Sequence, residues 1–134
     1  MSGDVGAPPT TTIASRQLTL VPSGRPVLVE LDAPVRRRSG EWACGWRIRG
    51  IGRARTGRAV GEDGLQALQL AVTAVRRALE PFADGLTWTG EPGELGLPES
   101  IPDYFGGEFR RRLERLVQLE TEREAQRLKE AALR

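Results

Sequence analysis

Gly61-Glu62-Asp63-Gly64-Leu65-Gln66-Ala67-Leu68-Gln69-Leu70-Ala71 is the stretch on which the fold turns. Its first half is turn chemistry and its second half opens a helix. Asp63 followed three residues later by Gln66 fits a capping box, in which the two side chains satisfy backbone N–H groups at the helix start. Leu65, Leu68, Val72, Val75 and Leu79 follow at alternating spacings of three and four, which is one helical face. Ala67, Ala71, Ala74 and Ala78 lie beside that face and permit close approach to a sheet. Pro81 cannot continue a helix, so the pattern predicts a helix over 63–80.

Upstream, the periodicity changes from helical to alternating. In 13–21, Leu18 and Leu20 share one face among polar neighbours, the mark of a strand. Pro22-Ser23-Gly24-Arg25 is a turn. Residues 27–31 form a second strand with Val27, Val29 and Leu31 inward, ended by Pro34. Arg36-Arg37-Arg38-Ser39-Gly40 reads as a basic loop. The third strand is the clearest. Trp42, Cys44, Trp46 and Ile48 share one face, and Arg47 and Arg49 share the other. Gly50 and Gly52 mark a bend, and a fourth strand runs from 53 to 60. The simplest topology is a four-stranded antiparallel meander covered on one face by the helix. The expected core is Leu18, Leu20, Val27, Val29, Leu31, Trp42, Cys44, Trp46, Ile48, Leu65, Leu68, Val72, Val75 and Leu79.

Downstream, 82–106 is irregular, with a short strand at Leu86-Thr87-Trp88 and an apolar loop, Leu95, Leu97 and Pro98, over the core edge. Residues 107–134 form a second, long helix. Phe109, Leu113, Leu116 and Val117 give its first half an apolar stripe, which Glu120, Arg123, Glu124 and Arg127 interrupt. The interruption argues against a long two-stranded coiled coil. The ordinary reading docks this helix on its own domain through Phe109, Leu113 and Leu116. The division expected is a disordered tail over 1–12, an α+β domain over 13–106 and the helix over 107–134.

Composition excludes several chemistries. The chain has no histidine and one cysteine, Cys44. Histidine-dependent triads, histidine-bound metals, four-cysteine sites and internal disulfides are therefore excluded. No cofactor or metal is expected. No apolar run approaches the ~20 residues of a membrane span, and no secretory leader is visible. The expected location is cytoplasmic. Residues 1–60 carry a charge of +6 and residues 61–134 a charge of −4. Nineteen of the twenty basic residues are Arg, so part of the enrichment reflects a GC-rich bacterial or phage genome.

Trp42-Ala43-Cys44, Gly50, the Gly61–Ala71 stretch, Leu86-Thr87-Trp88 and Gly96-Leu97-Pro98 together resemble a family of small uncharacterised bacterial proteins. That family has a W-x-C strand, a G-x-D-x-x-Q-A-L-x-L-A helix start and a late aromatic-Gly-apolar-Pro segment. The resemblance covers about residues 15–100. It implies an α+β fold and a bacterial source, and no activity.

Cys44 lies on an apolar strand face and reads as a small hydrophobe rather than a reactive thiol. Asp63 and Gln66 read as caps. The Gly61/Gly64 segment matches no phosphate-loop motif. The candidate partner-binding residues are Arg47, Arg49, Arg53, Arg55 and Arg58, a basic sheet face able to meet an acidic protein or a phosphate backbone. The tryptophans alternate to the other face, so base-stacking aromatics are not interleaved with them. The leading expectation is a non-catalytic interaction protein, binding an unidentified protein partner through the Arg-rich face or the C-terminal helix. Such a protein would suit a bacterial or phage accessory or immunity-like role. Nucleic-acid binding through the five arginines is the alternative, and the C-terminal helix offers a route to a homo-oligomer. A carboxylate enzyme using Glu30, Asp32 or Asp103 ranks last, because no spacing brings a pair together.

Overall fold

The alternation of small and apolar residues over 12–61 folds as an antiparallel sheet. The computed structural model describes residues 10–98 and 105–134. The chain divides into two compact units, residues 1–99 and 100–134.

In the first unit, β1 (Thr12–Leu20), β2 (Pro26–Asp32), β3 (Val35–Arg36), β4 (Trp42–Arg49) and β5 (Arg55–Gly61) follow one another along the chain. β1 pairs with β2, β2 with β4 and β4 with β5, all antiparallel. This is the expected meander. Strand β3 pairs with the start of β4, so it extends the line of β2 past a break. Leu31 stands opposite Trp46, and Val35 opposite Ala43. Asp32, Ala33 and Pro34 therefore face only Cys44 and Gly45, a bulge that re-aims Asp32. Pro34 does not end the pairing as expected, and Arg36 of the expected loop sits opposite Trp42. β6 (Leu86–Thr87) adds to the far edge beside Leu20 and Thr19.

α1 (Gly64–Leu79) covers one face, packing chiefly on β4 and β5. Its start is capped as predicted. Asp63 Oδ1 accepts from the Gln66 N–H at 2.7 Å, and Gln66 Oε1 accepts from the Glu62 N–H at 2.6 Å. The second bond reaches one residue before the cap, a variant of the usual box. A 3-10 turn over Glu80–Gly85, with Pro81 in its first turn, follows the helix.

The buried line of α1 differs from the expected one. Ala67, Ala71, Val75 and Leu79 are buried, while Leu68 and Val72 are half-buried and Leu65 is 66% exposed. The reason lies in the sheet below. β5 presents Ala59 and Gly61 toward the helix, and a Cβ on Gly61 would lie 2.6 Å from the Ala67 nitrogen. Contact that close admits alanine and rejects leucine. Trp42 and Trp46 are likewise half-buried. Leu18, Val27, Val29, Cys44 and Ile48 are buried as expected, joined by Leu86 and Leu95 from the later loop.

Of the tail expected over 1–12, residues 1–9 lie outside the described residues, and Thr12 already belongs to β1. In the second unit, α2 (Gly107–Ala132) is a single helix. No described helix is long and apolar enough to cross a membrane.

Candidate functional site

The five candidate arginines divide into two groups. Arg47 and Arg49 alternate on β4 and face away from α1, as their spacing required. Across the sheet, β2 presents Glu30 and Asp32 on that same face. Arg47 grips Asp32 bidentately, with both N–O distances at 2.9 Å, and donates to Thr12 Oγ1 at 2.8 Å. Its Nε lies 3.7 Å from Glu30 Oε1, and Arg49 Nη2 lies 3.5 Å from the same oxygen. Two acids and two arginines thus cancel in net charge on the outer face.

The bulge and Gly45 create this clasp. A Cβ on Gly45 would lie 2.6 Å from Asp32 Oδ2, so only glycine leaves room for the carboxylate to lie flat across the sheet. Asp32 is accordingly 3% exposed on the face of the sheet opposite α1. Fork-to-fork pairing of this kind is the strong form of a carboxylate–arginine contact. The hydrogen bond to Asp32 holds the Arg47 guanidinium even more firmly protonated than usual. Glu30 Oε1 is buried without a hydrogen bond, held by charge alone.

Arg53, Arg55 and Arg58 belong to β5 and the turn before it, and none forms an ion pair among the described residues. Arg55 does not share the outer face. It stands opposite Ile48, on the side of α1, with its guanidinium 4.6 Å over the Phe82 ring. Arg58 stands opposite Gly45 on the outer face, and both Arg53 and Arg58 are exposed. The sequence showed the alternation that places Arg55 and Arg58 on opposite faces. It did not show which arginines a carboxylate would claim, because that depends on the register of β2 against β4.

Cys44 is fully buried, and its thiol donates to the Asp32 carbonyl at 3.2 Å. Burial, with help from the Asp32 charge, pushes the thiol above its ordinary value. It is therefore a packed hydrophobe rather than a nucleophile. Among the carboxylates, Glu30 and Asp32 do come together, but into the arginine clasp, and Asp103 lies outside the described residues. Among the described residues, no cluster of three His, Cys, Asp or Glu side chains is placed to hold a metal.

One cavity of about 240 Å³ lies beside β1, lined by Ala14, Arg16, Val29, Leu31, Val72 and Leu97 among others. It falls below the ~300 Å³ at which small-molecule pockets begin. None of its described lining residues is acidic. Arg16, missed as a feature in the sequence, braces its rim. It stacks 3.8 Å over Trp88 and donates to the Leu95 and Gly96 carbonyls. Arg76 of α1 donates to the Leu97 carbonyl. These bonds tie the late loop to the sheet and helix.

α2 contains no buried residue. Phe109 and Leu113 are half-buried, with Phe105 edge-on to Phe109 at 5.4 Å between ring centres. Leu116 is 62% exposed and Val117 57%, and Leu119 and Leu128 are also exposed. Arg110–Glu114, Glu120–Arg123 and Glu124–Arg127 pair along the helix surface.

No curated protein and no solved structure matches the chain. Residues 14–99 match the family described as Domain of unknown function (DUF6968), spanning the sheet, α1 and the late loop, and the chain belongs to that family.

Proposed function

We propose that the chain is a non-catalytic interaction protein that engages a protein partner through α2. The observation that supports it is the exposure of apolar side chains on this helix, Leu116 and Val117 above all, with no residue of the helix buried. Most helical stability in proteins comes from packing an apolar face. A partner protein supplies that packing. A bacterial or phage setting and a reducing cytoplasm belong to the same proposal, supported by the preference for Arg over Lys and by the single unpaired cysteine. An accessory or immunity-like role suits a small domain that offers a surface rather than a pocket.

The test is capture from a bacterial lysate of the source, comparing the full chain with a Leu116→Ser/Val117→Ser variant of unchanged circular dichroism. Partners held by the full chain and lost from the variant support the reading. Equal capture by both, or a turnover that one point substitution abolishes, sinks it.

Nucleic-acid binding through the arginines stands as the second reading, and the clasp weakens it. Arg47 and Arg49 are already committed to Asp32 and Glu30. Three arginines at one sheet edge remain to meet phosphate.

A further inference from the structure

We propose that the free edge of β5 takes up an acidic, extended segment of a partner protein as an added strand. This goes beyond the reading of α2 and stands without it. β5 pairs with β4 along one side, and among the described residues nothing hydrogen-bonds the backbone of its other side. Such an edge is a template for a further strand. Its side chains set what that strand must be. Arg55 and Arg58 lie three positions apart and therefore on opposite faces, and neither has a carboxylate partner. Between them Gly57 carries no side chain, and the Trp46 indole lies over it, with Cζ2 2.3 Å from where a Cβ would stand.

An antiparallel strand on this edge places one residue opposite Arg58, the next opposite Gly57 and the fourth opposite Arg55. The first and fourth answer arginines on the two faces, so they are acidic. The second abuts the Trp46 ring, so it is apolar. The same arginines act against the commonest wrong partner. A second copy of β5 would bring like charges together, whereas an acidic strand is attracted. Guarding the edge against self-pairing and selecting an acidic strand are one device.

The experiment uses the ¹⁵N-labelled full chain titrated with an acetylated, amidated hexapeptide, Val-Glu-Val-Thr-Glu-Ile, and with its counterpart bearing Lys at both Glu positions. The acidic peptide is expected to shift the amides of Arg55–Gly61 and the Trp46 indole N–H, and to slow hydrogen exchange along β5. Two ion pairs of ordinary strength, one at exposed Arg58 and one at half-buried Arg55, give about a tenfold preference over the lysine peptide. In Arg55→Glu/Arg58→Glu the preference inverts. If that variant loses its amide dispersion, the milder Arg58→Ser, at an exposed position, shows about threefold weaker binding of the acidic peptide instead. Equal affinity for the two peptides overturns the charge selection. Absent or scattered shifts at millimolar peptide, without protection of β5 amides, overturn the strand addition. Neither result touches α2, which the lysate comparison tests.

Discussion

At the scale of single residues, the chain spends polar groups on holding the sheet together. The Arg47–Asp32 clasp is the clearest case, because removing Arg47 leaves a buried carboxylate without its cation. We expect Arg47→Met to cost about 3 kcal/mol in urea unfolding, far more than a surface arginine is worth. The Arg47→Met/Asp32→Asn double variant should recover part of that loss, and strictly additive losses would mean that the pair is not coupled. Cys44 makes a second prediction. Its thiol is raised by burial above an ordinary value of 9.0. The folded state therefore keeps the proton to higher pH than the unfolded chain does. Protons bound are then greater in the folded state, so stability falls as pH rises. Unfolding free energy should be flat in this respect below about pH 8 and decline above about pH 8.5. The decline should shrink in Cys44→Ala, and an identical pH profile in that variant would contradict the burial argument. Because the group is buried, its reaction with a thiol reagent should also follow global unfolding.

At the scale of elements, α1 separates what was legible from what was not. Asp63 and Gln66 named its start, and Pro81 its end, because caps and breakers act through local backbone chemistry. The face was misplaced because hydrophobic weight points to leucine, while Ala59 and Gly61 beneath demand alanine. Those two residues lie in sequence before the helix, and their bearing on it appears only once β5 and α1 are packed. We expect Ala67→Leu to cost about 1–3 kcal/mol by overpacking, and Leu65→Ala to stay within about 0.5 kcal/mol. Paired thermal denaturation curves would check both. A reversal of the two would restore the leucine face. The strands were legible for the opposite reason, since period-two alternation in Trp42–Ile48 carries its own inside and outside. The bulge at Asp32–Pro34 was not, because it depends on a mismatch between two strands that neither displays alone.

At the scale of the whole molecule, the candidate site contracts from a basic face to a basic edge. The signal that Arg47 and Arg49 are occupied was present in Glu30 and Asp32, which alternate on β2 as the arginines do on β4. Only the register joins them. For nucleic acid the consequence is quantitative. Three unclaimed arginines give a slope no steeper than about −2 in log affinity against log salt for single strands. A salt titration should therefore find weak binding, and a slope of about −3.5 would return Arg47 and Arg49 to the interface. Trp46 adds something of practical use. Its indole spans from the core to the backbone of β5, resting on a position without a side chain. It is thus an intrinsic fluorophore built into the rim of the sheet, so a strand docking there should change its emission without any label being attached.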